Sequence, residues 1–112
     1  MSFLGIQAGR RFTVDSHDLR TSGRFEDVTE GATDPGRYVH ENEGDGVWAS
    51  VIYPSQGLVL YAVPSSEVAT LAMCVYNDWI AEFCAAVPDR LKGIAMLNVD
   101  DIDTAVAELE RV

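Results

Sequence analysis

The feature that most constrains this chain is an alternation of apolar strand patterns and amphipathic helix patterns between residues 46 and 112. The two strand patterns, residues 46–53 and 91–99, are nearly continuous apolar runs, which is typical of parallel strands buried on both faces. A helix pattern separates them, and crossovers of this kind make neighbouring strands parallel. Two such units cannot cover their own sheet, so we expect the chain to be part of a larger structure.

Three helices are predicted from capping residues and from apolar spacing. Asp34 followed by Pro35 predicts a short helix that ends at Gly44. Ser65 or Ser66 is expected to cap a long helix that Pro88 ends. Its expected inward residues are Val68, Leu71, Ala72, Val75, Trp79 and Phe83.

The final helix is expected to begin after Asp100 or Asp101, with inward residues Ile102, Ala105, Val106 and Leu109. On the long helix, Asn77 and Asp78 are expected on the polar side or in a local cap network. Between the two strand patterns, the apolar run of residues 58–63 is either a short strand or an apolar loop over the sheet.

Residues 1–33 differ from the rest, because they contain several Gly, Arg and Asp residues and no sustained periodicity. They predict a long irregular segment, a candidate lid or interface. Residues 34–112 complete a single partial α/β domain, with a short helix followed by strand, helix, strand and helix.

The net charge is −10 and only 8 Lys and Arg are present, which argues against nucleic acid or anionic membrane as a partner. No apolar run reaches the ~18 residues of a membrane span, and no secretion signal opens the sequence, so we expect a cytoplasmic protein. Cys74 and Cys84 are too far apart on one helix to form a disulfide, and we expect both to fill the core.

Three stretches together resemble the amidohydrolase-related family of metal-dependent hydrolases and decarboxylases. They read RFEDVTEGATDP, DGVWASVIYPS and YNDWIAEFCAAVPDRLKGIAMLNVDDIDTAVAELERV. The resemblance covers residues 24–112 and corresponds to an early part of the family. It implies a partial (β/α)8 TIM barrel, with residues 46–53 as the second strand and 92–99 as the third.

The resemblance also implies a divalent metal, Zn or Mn, in the full-length family. There a His-x-His, or an Asp- or Glu-x-His, ends the first strand and binds the metal together with a later His and Asp. Asp15 and His17 are the candidate ligand pair, since RFTVDSH could be a strand with both side chains on one face. The alternative is a solvated turn, which the nearby Asp18 and Arg20 favour. The later ligands have no counterpart, so we expect this chain alone to hold no metal.

Tyr53 and Ser55 follow the first strand pattern, and Asn98 is near the end of the second. Parallel α/β folds build their active sites at these carboxyl ends, so these residues are candidates to line a pocket. The alternative is that they are turn-favouring residues at strand ends. No residue is assigned a catalytic role, and His40 is expected on a surface or core edge.

These observations lead to two hypotheses of different classes. The first is a fragment or truncated relative of a metal-dependent hydrolase or decarboxylase for a small organic substrate, inactive as this chain alone. Its partner would be the remainder of the barrel or further copies. The second is a small non-catalytic α/β module that self-associates through its sheet edges.

Overall fold

A computed structural model describes Arg24 and residues 30–112. These residues form three α-helices, namely α1 (Pro35–Gly44), α2 (Ser66–Ala85) and α3 (Ile102–Arg111). Two short strands, β1 (Ser50–Ile52) and β2 (Leu91–Gly93), form a parallel sheet. In the described part of the chain, the 3₁₀ helices Glu30–Ala32 and Gly57–Ala62 precede α1 and α2. The expected α/β class and the parallel pairing are therefore confirmed.

The helix starts are where the capping residues predict them. Oδ1 of Asp34 accepts a hydrogen bond from the Arg37 amide at 2.7 Å at the start of α1. Ser65, the first of the two candidate serines, caps α2, and Asp101, the second of the two candidate aspartates, caps α3. Such caps satisfy amides that the helix leaves unpaired and contribute about 1 kcal/mol each.

The sheet is shorter than the sequence predicts. Register pairs join Ser50 with Leu91 and Ile52 with Gly93, and β1 and β2 have three residues each in place of the predicted runs. Beyond β2, the backbone of Met96 bonds to the side chain of Asn77 instead of to a strand. The apolar run after β1 is also not a strand, because its residues form the 3₁₀ helix Gly57–Ala62.

The core lies between α2 and the sheet. One buried cluster contains Ile80, Phe83, Cys84 and Leu91, and a second contains Ala69, Met73 and Met96. The backbone comes close to α2 at Gly93, where a β-carbon would lie 2.5 Å from Cγ1 of Ile80. Glycine at this position therefore lets β2 pack directly on the helix.

The predicted inward faces of the helices are largely wrong. On α2, Phe83 is buried, but Val68, Leu71 and Val75 are 54%, 61% and 68% exposed. On α3 only Ala105 of the expected set is buried, whereas Ile102, Val106 and Leu109 are exposed. The helices carry apolar residues on more than one face, and on α2 the face with Ala69 and Met73 is the one that is buried, against Met96 of the segment after β2.

Within the described residues the sheet is not covered on both sides, because Val51 in the middle of β1 is 54% exposed; the expectation that further strands and helices cover it stays a prediction. Both cysteines are free; Cys84 is buried and Cys74 is half-buried. No helix among residues 30–112 is long and apolar enough to cross a bilayer.

Candidate functional site

The candidate site is the edge of the sheet where β1 and β2 end. Tyr53 and Ser55 follow β1 and are exposed, and Tyr53 is 67% accessible. A tight turn joins them, because the Ser55 amide donates to the Tyr53 carbonyl at 2.8 Å. Both side chains carry hydroxyl groups that can donate and accept hydrogen bonds, as a polar ligand requires.

The 3₁₀ helix Gly57–Ala62 connects the two strand ends. The hydroxyl of Tyr61 donates to the carbonyl of Leu97 at 3.3 Å, which links this helix to the segment after β2. At Gly57 a β-carbon would lie 2.6 Å from Sδ of Met96, so the two segments pack closely there as well. The loop after β1 therefore extends across to the carboxyl end of β2.

Asn98 is half-buried, and its side-chain amide forms hydrogen bonds within the protein. Its Nδ2 donates to Oγ of Ser66 at 2.8 Å and to Oγ1 of Thr70 at 2.9 Å, and its Oδ1 accepts from the Asp100 amide at 3.2 Å. The first two bonds connect the segment after β2 to the first turns of α2. The third bond is to Asp100, shortly before α3 begins. The cavity beside Asn98 has a volume of about 10 Å³, which admits at most one water molecule.

Asn77 is the most buried polar side chain in the described part of the chain, at 1% exposure. Its Oδ1 accepts from the Met96 amide at 2.7 Å, and its Nδ2 donates to the Met96 carbonyl and to Oε1 of Glu108, both at 2.8 Å. The expectation of a polar-side position is wrong for Asn77. The available signal was spacing, because Asn77 lies four residues after Met73 and three before Ile80 on the buried face.

Glu108 joins α3 to this network and is 8% exposed. Arg111 binds it through both carboxylate oxygens, at 2.6 and 2.8 Å, and also contacts Asp78 at 2.6 Å. These hydrogen bonds from Arg111, aided by Asn77 and opposed by burial, lower the pKa of Glu108 to about 2. A carboxylate held ionised in this way orients α3 and is poorly suited to proton transfer near neutral pH.

The candidate metal ligands Asp15 and His17 lie outside the described residues. His40 is exposed on α1, which agrees with the expected surface position. Within residues 30–112 and Arg24, no three His, Cys, Asp or Glu side chains are arranged to hold a metal ion.

Comparison with known proteins gives one significant similarity. Fifty residues, 45% of this chain, are 44% identical to gamma-resorcylate decarboxylase from Rhodococcus jostii (strain RHA1). The matched region is 15% of the length of that enzyme, so the similarity concerns a small part of it. No family model matches the chain. No solved structure is significantly similar to it.

Proposed function

We propose that this chain supplies two strand–helix units of an amidohydrolase-related (β/α)8 barrel enzyme that decarboxylates a small aromatic acid of the resorcylate type. The observation that carries this proposal is the 44% identity over 50 residues with a decarboxylase. The parallel pairing of β1 and β2 across α2 supports it, since this is the repeating unit of such a barrel.

Exposed apolar side chains on the sheet and on two helices support the proposal that further strands and helices complete the barrel. Val51 on the sheet, Val75 on α2 and Leu109 on α3 are 54%, 68% and 57% exposed. Exposed apolar surface on several elements of one small unit is typical of an interface. We propose that the remainder of a barrel, or further copies of the chain, covers this surface.

In the complete enzyme, the carboxyl edge of the sheet would bind the substrate. We propose that the exposed hydroxyl groups of Tyr53 and Ser55 hydrogen-bond the carboxylate or ring hydroxyls of an aromatic acid. Decarboxylation breaks the bond between the ring carbon and the carboxylate and releases CO2. The bonding electron pair stays on the ring carbon, which takes up a proton from water. We propose Asp15 and His17 as two ligands of a divalent metal, Zn or Mn, in the complete enzyme, and we assign no reaction step to that metal.

A chimeric enzyme tests this proposal. The 50 matched residues of this chain would replace their counterparts in the Rhodococcus jostii enzyme, and loss of gamma-resorcylate would be followed by absorbance. We expect the chimera to retain decarboxylation within about tenfold of the parent, which corresponds to about 1.4 kcal/mol. A chimera that folds, as judged by circular dichroism and gel filtration, but has no activity would contradict the proposal.

A second measurement tests whether the chain needs further strands for activity. The 112-residue chain alone, with Zn²⁺ or Mn²⁺ added, is expected to show no turnover of gamma-resorcylate, because its sheet has only two strands among the described residues. Turnover by the isolated chain would show that a complete active site forms without further strands.

A further inference from the structure

A second candidate site lies far from the carboxyl edge, beside the end of α2. A cavity of about 340 Å³ is open on one side and is lined by Thr33, Pro35, Trp79, Glu82, Phe83 and Ala86. Ala86 directly follows α2, shortly before β2 begins, so the cavity is at the amino end of the sheet. A volume above about 300 Å³ is enough for a small organic ligand.

Aromatic rings form one wall of this cavity. The rings of Trp79 and Phe83 are 5.5 Å apart, and Tyr38 of α1 contacts Phe83 edge-on at 6.2 Å. These contacts hold Trp79 in place, yet 46% of its surface remains exposed. A held and accessible indole ring is the best side chain for attracting a cation through its π face.

The electrostatics of the cavity also favour a cation. Glu82 is exposed, and none of the six lining residues is basic. The end of α2 adds the partial negative charge of a helix C-terminus. The start of α1 has the partial positive charge of a helix N-terminus, and the carboxylate of Asp34, which caps that helix, offsets it. The positive charge of Arg37 in the first turn is paired with Glu30 at 3.2 Å.

We propose that this cavity binds a small organic cation with an apolar body, such as a methylated ammonium compound. The methyl groups would contact Trp79 and Phe83, and the positive charge would be close to the carboxylate of Glu82. This site is independent of the proposed decarboxylase activity, because it lies at the other end of the sheet from Tyr53 and Ser55.

Fluorescence of Trp79 tests the proposal in the 112-residue chain. Trp48 is the only other tryptophan, so Trp48→Phe leaves Trp79 as the single reporter. Choline is the probe, and 3,3-dimethylbutanol, of the same shape but uncharged, is the comparison, with ionic strength kept constant by NaCl. We expect saturable binding of choline in the millimolar range and binding of the neutral alcohol at least about fivefold weaker.

Two matched variants locate the binding site. Glu82→Gln is expected to weaken choline binding by about threefold to fivefold, as for an exposed charge pair. Glu67→Gln, at the opposite end of α2, is expected to leave it unchanged. The proposal is overturned if choline and the alcohol bind equally, if no saturation occurs up to about 100 mM, or if a folded Glu82→Gln variant binds like the parent.

Discussion

Replacing Asn77 by alanine is expected to destabilise the protein more than any other single polar substitution on α2. The change removes three hydrogen bonds, of 2.7 to 2.8 Å, to Met96 and Glu108. Each contributes about 1 kcal/mol net, and the amide and carbonyl of Met96 would be left unpaired in a residue that is 1% exposed. The expected loss in the free energy of unfolding is about 3–5 kcal/mol, a large part of the ~5–15 kcal/mol typical of a domain.

Urea unfolding followed by far-UV circular dichroism measures this loss, at a fixed low protein concentration so that association does not contribute. Asn42→Ala is the matched control, because it removes one partly buried hydrogen bond, to Ser50 at 3.0 Å. We expect that control to lose about 1 kcal/mol or less. Unfolding of Asn77→Ala without any urea would agree with the prediction.

A loss below about 1 kcal/mol for Asn77→Ala, or a loss no greater than that of Asn42→Ala, would refute the reasoning. It would mean that the segment after β2 does not depend on the side chain of Asn77 for the hydrogen bonds of the Met96 backbone. The contact between Asn77 and Glu108 would then contribute little to the position of α3.

Three further perturbations have expected outcomes. Because the pKa of Glu108 is lowered to about 2, its ionised form stabilises the fold above pH 4.5, and this contribution is lost as the pH falls toward 2. We expect the free energy of unfolding to fall by about 1–2 kcal/mol over this range in urea titrations at each pH, and we expect no such fall in Glu108→Gln. Gly93→Ala should cost about 1–3 kcal/mol in urea unfolding, because its β-carbon would meet Ile80 at 2.5 Å, whereas Gly44→Ala, with nothing within 4 Å, should be nearly neutral. Light scattering should return a mass above the 12.2 kDa of one chain, and Val75→Lys should lower it; a single-chain mass at high concentration would refute this expectation.

Short-range features of the fold could be predicted from sequence. Asp34, Ser65 and Asp101 begin the three helices, and each cap depends on a hydrogen bond to an amide three residues later. Pro88 lies just beyond the end of α2, as expected for a residue that cannot continue a helix. Helix starts and ends of this kind depend only on residues that are close together along the chain.

The candidate site could be predicted only in part. Tyr53 and Ser55 are at the end of β1, as the strand pattern indicates. The hydrogen bonds from Asn98 to Ser66 and Thr70 could not be inferred from sequence order, because these residues are far apart along the chain. Asp15 and His17 remain a prediction, since they lie outside the described residues.

The sequence by itself determined the order of the elements, the helix starts and the parallel α/β class, because capping, turn formation and crossover direction depend on local chemistry and chain connectivity. Only the tertiary structure decided which face of α2 is buried. That helix has apolar residues around much of its circumference, so periodicity does not single out one face. The choice depends on where β2 can approach closely, at Gly93, and on the backbone of Met96, whose buried polar groups the side chain of Asn77 satisfies.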